Sequence, residues 1–182
     1  MRRLTPQEID DGILDVAAGV FAQFGYEQAS VQRIADEAGY SKTGLLHRFA
    51  SKEAIKTSVR ERCLEQIREL VDATGERPIG PERDRATIET LIDLAISHPG
   101  TVALLLNAGI REPDADEWGI PDARQALDRA FGIVETTSVE RRVRIVGCLG
   151  ALGLGVLALL REYPPHLVRD ELVATCCDAL GD

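Results

Sequence analysis

Apolar residues recur at helical spacing along the first 25 positions, after a segment that can start a helix. Thr5-Pro6-Gln7-Glu8 supplies a capping hydroxyl, a proline suited to a first helical turn and a glutamate that can cap in return. One helical face would then carry Ile9, Ile13, Ala17, Val20, Phe21 and Phe24. The pattern predicts a first helix over about residues 6–24, which Gly25 would end in a left-handed conformation.

Two shorter apolar runs follow, each preceded by a serine. Ser30 can cap a helix of about two turns that Gly39 would end. Ser41 can cap the next helix, with Leu45 and Phe49 on its buried side. Two short helices joined by a tight glycine turn are typical of a helix-turn-helix, whose second helix enters the major groove of DNA. We therefore predict a three-helix DNA-binding domain over residues 1–50.

The remaining residues, 51–182, carry only helical patterns. Ser51 can cap a long helix that runs to about residue 75, and further helices are predicted over about 82–97, 100–111, 122–135, 138–161 and 165–180. Glycine and proline separate these segments, and no alternating strand pattern occurs. The predicted fold class is all-α, with the helix-turn-helix module joined to a larger helical domain over residues 51–182.

The net charge of −9 is distributed unevenly along the chain. Residues 1–60 hold eight Lys or Arg and eight Asp or Glu, whereas the rest of the chain holds 13 and 22. Residues 30–60 alone hold six basic and three acidic side chains. The predicted DNA-reading segment is therefore a basic patch on an acidic protein, which is compatible with binding to nucleic acid.

Other classes of protein find little support in the sequence. The apolar, uncharged run at residues 145–160 has 16 residues, fewer than the roughly 20 that cross a bilayer, and indicates a helix covered on both faces rather than a membrane span. No segment resembles an export signal, so we expect a cytoplasmic protein whose cysteines are reduced and buried. The cysteine spacing fits no zinc site, the three histidines lie far apart, and no catalytic motif occurs. We therefore expect no metal, no cofactor and no enzymatic activity.

Residues 17–55 resemble the DNA-binding region of TetR-family transcriptional regulators. The family pattern runs AA-x-x-x-F-x-x-x-G-[FY], then TS-x-x-x-IA-x-x-AG-V-S, and closes on F-x-SKE. The matching residues are Ala17, Ala18, Phe21, Gly25, Tyr26, Ser30, Ile34, Ala35, Ala38, Gly39, Ser41, Phe49, Ser51, Lys52 and Glu53. The resemblance implies a dimeric regulator, by the family's usual mode a repressor, that binds a palindromic operator in double-stranded DNA.

The predicted helix positions indicate which side chains would contact DNA. We expect contacts with phosphates at the helix starts and at nearby cations. Contacts with base edges are expected from the amino-terminal half of the third helix. The candidate residues are Ser30, Arg33, Tyr40, Lys42, Thr43, Gly44, His47, Arg48 and Lys52. Tyr40 could instead pack within the turn, and His47 could be partly buried.

The recognition helix departs from the family pattern in two places. Leu46 stands where relatives carry a tyrosine that contacts phosphate, so His47, Arg48 or Lys52 would have to supply that anchoring. The glycine and hydroxyl positions are exchanged, as Thr43-Gly44. The contacts made by relatives therefore do not transfer directly to this chain.

The resemblance also implies that the last two helices of each subunit form a four-helix dimer interface. Gly147, Ala151 and Gly155 recur at every fourth position, which would let another helix approach closely, and Cys176 lies on the last helix. Burial within one subunit would give the same pattern. An independent argument favours a homodimer, because one short recognition helix reads few bases whereas two read half-sites about 34–36 Å apart.

In TetR-like proteins the middle helices enclose a pocket for a small-molecule effector, here expected to be largely apolar. The candidate effector contacts are Trp118, Phe131, Asn107 and His98. Trp118, the only tryptophan, could close over such a pocket or could anchor a loop. The effector would act by favouring one separation of the two recognition helices.

A helical protein-interaction module that has lost DNA binding is the alternative. Leu46 removes a phosphate contact, and residues 1–60 carry no net charge. A DNA affinity that does not fall steeply with salt would favour this alternative, because phosphate neutralisation releases counterions.

Overall fold

The computed structural model describes residues 5–110, 118 and 120–181, which form helices and turns without a β-strand. The helices are α1 (Pro6–Gln28), α2 (Val31–Ala38), α3 (Lys42–Arg48), α4 (Lys52–Gly75), α5 (Pro81–Ser97), α6 (Pro99–Ile110), α7 (Ile120–Ala130), α8 (Val139–Leu159) and α9 (Pro165–Leu180). The predicted all-α class is confirmed. Most of the loop predicted between α6 and α7 lies outside the described residues.

The predicted start of α1 is confirmed, but the helix is interrupted at Gly25 and ends later than predicted. The Thr5 hydroxyl accepts a hydrogen bond from the Glu8 amide at 3.2 Å, and the Thr5 amide donates to the Glu8 carboxylate at 2.8 Å. Gly25 has a φ of 74°, which interrupts the helix where the sequence predicts its end. Helical backbone nevertheless resumes and continues to Gln28.

α7 ends earlier than the sequence predicted. The helix expected over 122–135 spans Ile120–Ala130, because Gly132 turns the chain out with a φ of 63°. The amides of Gly132 and Ile133 donate to the carbonyls of Arg129 and Asp128 at 3.2 and 2.7 Å. This arrangement closes the helix as a glycine cap, a stop signal that lies inside the range predicted to be helical.

The helices group into two compact units that do not divide at residue 50. The first unit combines the described residues up to Leu64 with those between Gly100 and Ile120. The second combines Glu65–Pro99 with the described residues from Pro121 onward. α6 therefore belongs with the helix-turn-helix, and α4 contributes residues to both units.

α6 is joined to α1 by hydrogen bonds and by close backbone approach. The Asp15 carboxylate on α1 accepts from the amides of Gly100 and Thr101, at 3.2 and 2.9 Å, and so caps the start of α6. A Cβ at Gly100 would lie 1.9 Å from the Asp15 carbonyl oxygen, so the contact requires glycine. Farther along α6, the Asn107 amide nitrogen donates to the Ala22 carbonyl at 2.9 Å. These contacts hold α6 within the first unit.

The second unit has its own core, in which α5 packs against both α8 and α9. The buried faces of α8 and α9 carry Ile145, Cys148, Leu152, Val156, Val168, Leu172, Val173 and Cys176. Asp84 on α5 is 3% exposed and pairs with Arg141 on α8 at 2.5 Å. Because an unpaired buried carboxylate would be costly, this ion pair helps to fix α5 against α8.

The four cysteines are buried and form no disulfide, as predicted. They are Cys63, Cys148, Cys176 and Cys177. Burial raises the pKa of the Cys63 thiol to about 11, so it is protonated at neutral pH. The cysteines therefore serve as small apolar side chains.

The outward face of α8 is apolar and exposed. Val143, Val146 and Leu154 are 63%, 69% and 67% exposed. The prediction that both faces of this segment are covered is therefore wrong within one subunit. By length and composition α8 could cross a membrane, but a core helix of a soluble protein passes the same test, and its opposite face packs on α9.

Candidate nucleic-acid interface

The helix-turn-helix is built by two serine caps and one left-handed glycine. Ser30 accepts from the Arg33 amide at 3.1 Å, and Ser41 accepts from the Gly44 amide at 3.0 Å, so both helices begin where predicted. Gly39 ends α2 with a φ of 76°. The inward side chains Ile34, Ala35 and Leu45 are completely buried. The turn between α2 and α3 is thus fixed by local bonds and by a small core.

α3 presents the predicted base-reading residues Lys42, Thr43 and His47 to solvent. Lys42 and Thr43 occupy the first turn, His47 follows near the end of the helix, and all three are exposed. None of the three side chains forms a hydrogen bond or ion pair with the part of the chain that the structure describes. They are free to contact base edges or phosphates if the helix enters the major groove.

Gly44 lies next to the cap of α3. A Cβ at this position would lie 3.1 Å from the Ser41 hydroxyl oxygen, which caps α3. Arg33 and Ala54 follow their capping serines at the same spacing, so such a cap does not require glycine. The exchange of Thr43 and Gly44 relative to the family pattern has no structural explanation in the described residues.

Three of the predicted cations have partners within the first unit. The Arg48 guanidinium donates to the Asp10 carboxylate on α1. The Lys52 ammonium lies 4.2 Å from the centre of the Tyr26 ring and donates to a backbone carbonyl at 3.3 Å. Arg33 lies 3.9 Å from the centre of the Phe24 ring and remains exposed. These side chains are held near the surface in defined positions.

A cluster around Tyr26 links α1 to the start of α4. The Tyr26 hydroxyl donates to Glu53 at 2.8 Å. Loss of hydration and this bond to Glu53 raise the pKa of Tyr26 to about 12, and the same bond lowers the pKa of Glu53. Lys56 lies 4.4 Å from the Tyr26 ring and 5.4 Å from the ring of Trp118. The sequence alone does not indicate a role for Lys56, because only the folded chain brings these aromatic rings together.

The side chains of Tyr40 and Leu46 are both partly exposed. Tyr40, in the turn, is 37% exposed, which allows both packing and a phosphate contact. Leu46 is half-buried on α3 and offers no polar atom for a phosphate. Anchoring to the DNA backbone must therefore come from other residues, as the sequence indicates.

The predicted effector contacts fall into different units. Trp118 is 5% exposed and lies 5.3 Å from the Phe21 ring, in the core of the first unit, so it acts as an anchor there. Asn107 also belongs to the first unit, where its side chain donates to the Ala22 carbonyl. Phe131 and His98 belong to the second unit, where Phe131 is 1% exposed.

Two of the four predicted dimer contacts face outward, and two face inward. Gly147 and Ala151 are exposed on α8. A Cβ at Gly155 would lie 2.7 Å from a methyl of Leu172 on α9, so this glycine serves packing within the subunit. Cys176 is fully buried and contacts the Cys148 carbonyl at 3.6 Å. Gly155 and Cys176 are therefore corrected to contacts between α8 and α9 of one subunit.

Comparison with known proteins shows which family the helix-turn-helix resembles. Residues 13–58 match the model of the bacterial regulatory proteins of the tetR family. The HTH-type transcriptional regulator RutR of Escherichia coli K12 is 43% identical over 53 residues, which cover 29% of this chain and 25% of RutR. The chain thus matches only about a quarter of the length of this relative.

Two further comparisons extend over most of the chain. The uncharacterized HTH-type transcriptional regulator Rv1255c of Mycobacterium tuberculosis is 29% identical over 167 residues, 88% of this chain and 78% of Rv1255c. The structure of the regulator FadR of Bacillus subtilis superimposes with a TM-score of 0.57 at 19% identity, over 92% of this chain and 97% of FadR. The helix-turn-helix of this chain is therefore similar to that of the bacterial regulatory proteins of the tetR family, and the chain as a whole shares the fold of a solved transcriptional regulator.

Proposed function

We propose that this protein is a homodimeric, sequence-specific DNA-binding repressor whose affinity for its operator is controlled by a small-molecule effector. The observation that carries the proposal is the start of α3. There Lys42 and Thr43 are exposed and unpaired within the described part of the chain, on a helix-turn-helix whose caps and core hold it rigidly. Side chains in this position read base edges when such a helix enters the major groove.

Charge and helix ends support contact with the phosphate backbone. Ser30 and Ser51 lie at the starts of α2 and α4, where amide groups and the helix dipole favour anions. Arg33 and Lys52 place cations close to these two helix starts. The basic excess of residues 30–60 thus lies in the segment that contains α3.

The outward face of α8 supports a homodimer. Val143, Val146 and Leu154 form an exposed apolar stripe on α8, and Leu167 on α9 is 51% exposed. A second copy of the chain would remove this apolar surface from water. Gly147 and Ala151 lie on the exposed side, where small residues let a partner helix approach closely.

Buried polar groups in the second unit support an effector site there. Gln66 is 3% exposed, Thr87 is completely buried, and the amide atoms of Gln66 and the hydroxyl of Thr87 contact no hydrogen-bond partner in the described part of the chain. The Nδ1 atom of His98 is likewise buried and has no hydrogen-bond partner in the described part of the chain. Such groups cost about 1–3 kcal/mol each when unsatisfied, and a ligand with a polar group on an apolar body would satisfy them.

A relative's ligand agrees with the expected chemistry. FadR of Bacillus subtilis was solved in complex with stearoyl-CoA, which has a long apolar chain. For this chain we propose a largely apolar effector that also offers hydrogen bonds to the buried polar groups of α4 and α5. Thr87→Val is expected to stabilise the ligand-free protein by about 1 kcal/mol or more, because it removes an unpaired hydroxyl.

Thr74→Val is the matched control for that substitution. The Thr74 hydroxyl is also buried, but it donates to the Leu70 carbonyl at 2.9 Å. Its removal should therefore lower stability by about 0.5–1.5 kcal/mol. Chemical denaturation of the two variants compares them, and equal destabilisation by both substitutions would argue against unpaired polar groups in the second unit.

A protein-interaction module without DNA binding is the second candidate function. It is favoured by the engagement of Arg48 and Lys52 with neighbouring groups and by the absence of net charge over residues 1–60. The salt dependence of binding to duplex DNA distinguishes the two. A regulator that contacts 6–10 phosphates should lose about 10³–10⁵ in affinity between 50 and 200 mM salt. An affinity that is weak and insensitive to salt would favour the interaction module.

A further inference from the structure

The recognition helix ends on an ion pair with α1. Arg48, the last residue of α3, donates from its guanidinium to the carboxylate of Asp10, 38 positions earlier. The two side chains are 31% and 40% exposed. The pair thus lies at the surface of the first unit, where another anion can reach the guanidinium.

We propose that Asp10 competes with DNA phosphate for Arg48. In the free protein Asp10 holds the guanidinium at the end of α3, and on the operator Arg48 leaves Asp10 and binds a backbone phosphate. Asp10 is then a residue that sets DNA affinity without touching DNA. This inference rests on the DNA-binding function proposed above.

The energies of the two contacts favour the exchange. An ion pair at the surface contributes little, because hydration and side-chain freedom are lost when it forms. A guanidinium on duplex DNA can bind a phosphate through two parallel hydrogen bonds, and it releases condensed counterions. Arg48 therefore gives up a weak partner for a stronger one.

The other candidate contacts do not have this kind of competitor. Lys52 is held by an aromatic ring and a carbonyl, and Arg33 by an aromatic ring, none of which carries a net negative charge. Lys42 has no ion-pair partner in the described part of the chain. Arg48 is thus the candidate whose DNA contact would be opposed by a carboxylate of the same unit.

The adjacent residue on α1 provides a matched control. Asp11 pairs with Arg62 on α4 at 3.2 Å. Asp11→Asn removes the same charge from the neighbouring position and leaves the pair between Asp10 and Arg48 intact. Any general effect of charge on DNA affinity should therefore be similar in the two variants, and their difference isolates the release of Arg48.

The test compares wild type, Asp10→Asn, Asp11→Asn, Arg48→Gln and the double variant of Asp10 and Arg48. Each is titrated by fluorescence anisotropy onto a duplex operator that was selected from random sequences with the wild-type protein. Thermal unfolding by circular dichroism establishes that the variants are folded. The titrations are repeated at several salt concentrations between about 50 and 200 mM.

The proposal predicts three results. Asp10→Asn binds the operator more tightly than Asp11→Asn, by a factor of about two to five for each recognition helix that contacts the DNA. This is the range expected when one exposed ion pair is removed. Arg48→Gln lowers the slope of log affinity against log salt by about 0.9 for each lost phosphate contact. The double variant binds no more tightly than Arg48→Gln alone.

Two results would overturn the proposal while leaving the DNA-binding function intact. One is that Asp10→Asn binds no more tightly than Asp11→Asn, which would make Asp10 a positioning residue for α3. The other is an unchanged salt slope in Arg48→Gln, which would mean that Arg48 makes no phosphate contact. If wild type itself binds no duplex at low salt, the proposed function fails first.

Discussion

Lys42 and Lys52 carry the same charge but have different surroundings. Lys42 is exposed at the start of α3 and has no ion pair or hydrogen bond in the described part of the chain. Lys52 is held by the Tyr26 ring and the Glu27 carbonyl. At the residue scale, we therefore expect Lys42 to contribute to sequence preference and Lys52 to hold the domain on the backbone.

Lys42→Ala should weaken binding to the selected operator by about 1–3 kcal/mol if Lys42 reads a guanine. Its effect on binding to random duplex DNA should be smaller, because base contacts are not made there. Competition titrations at one salt concentration measure both affinities. Arg68→Ala removes an exposed cation from α4 in the second unit and is the control. Equal operator affinity of Lys42→Ala and wild type would rule out a base-reading role.

The pair of Tyr26 and Glu53 should make stability depend on pH at both extremes. The lowered pKa of Glu53 stabilises the fold above its ordinary pKa, and this contribution is lost as the pH falls through the lowered value. The raised pKa of Tyr26 stabilises the fold below pH 10 and is lost as the pH rises towards about 12.

The Tyr26→Phe variant should lose this dependence. Ultraviolet absorbance should show a tyrosine titrating near pH 12 in wild type that is absent from Tyr26→Phe. The difference in melting temperature between wild type and Glu53→Gln should shrink as the pH is lowered into the acid range. A constant difference over that range would contradict the assignment of the hydrogen bond.

At the scale of elements, the contact between α1 and α6 defines the first unit. It depends on Gly100, where a Cβ would lie 1.9 Å from the Asp15 carbonyl oxygen. Gly100→Ala should therefore destabilise the protein by about 1–3 kcal/mol, because the helices must move apart. Urea denaturation followed by circular dichroism measures the change.

Gly12→Ala is the matched control on α1. A Cβ at Gly12 would have no atom within 4 Å. The substitution should stabilise the protein by about 0.4–1 kcal/mol, because alanine loses less backbone freedom than glycine on folding. If Gly100→Ala were as well tolerated as Gly12→Ala, the close approach of α6 to α1 would be wrong.

The local elements could be predicted from the sequence, whereas the grouping of helices could not. Ser30, Gly39 and Ser41 act through bonds within four residues, so their caps and stops are visible in the sequence. The Asp15 cap of α6 joins residues 85 and 86 positions apart, and no local pattern indicates it. For that reason the boundary at residue 50 separated α6 from the helices with which it packs.

The candidate site follows the same division. Exposure of Lys42 and Thr43 could be predicted from helical periodicity and the serine cap. The partner of Arg48 could not, because Asp10 lies on another helix and its charge alone does not indicate a contact. The apolar run of α8 was predicted to be buried on both faces, although one face is exposed in the single chain.

At the scale of the whole molecule, DNA recognition depends on the proposed homodimer. Val146 is 69% exposed in the apolar stripe of α8. Val146→Glu should raise the dimer dissociation constant by about 100-fold or more, because it buries an unpaired carboxylate in the interface. Light scattering after gel filtration gives the molar mass, and Val134→Glu, at a position 58% exposed outside α8, is the control. A Val146→Glu variant that stays dimeric would place the interface elsewhere.

The central claim is that a homodimer reads two half-sites through α3. Its most direct test is selection of duplexes from random sequence, followed by hydroxyl-radical footprinting of the enriched DNA. We expect two inverted half-sites whose centres lie about 34–36 Å apart, one helical turn along the same face of the duplex. Enrichment of no common sequence, or protection of a single half-site by a monomer, would contradict the account.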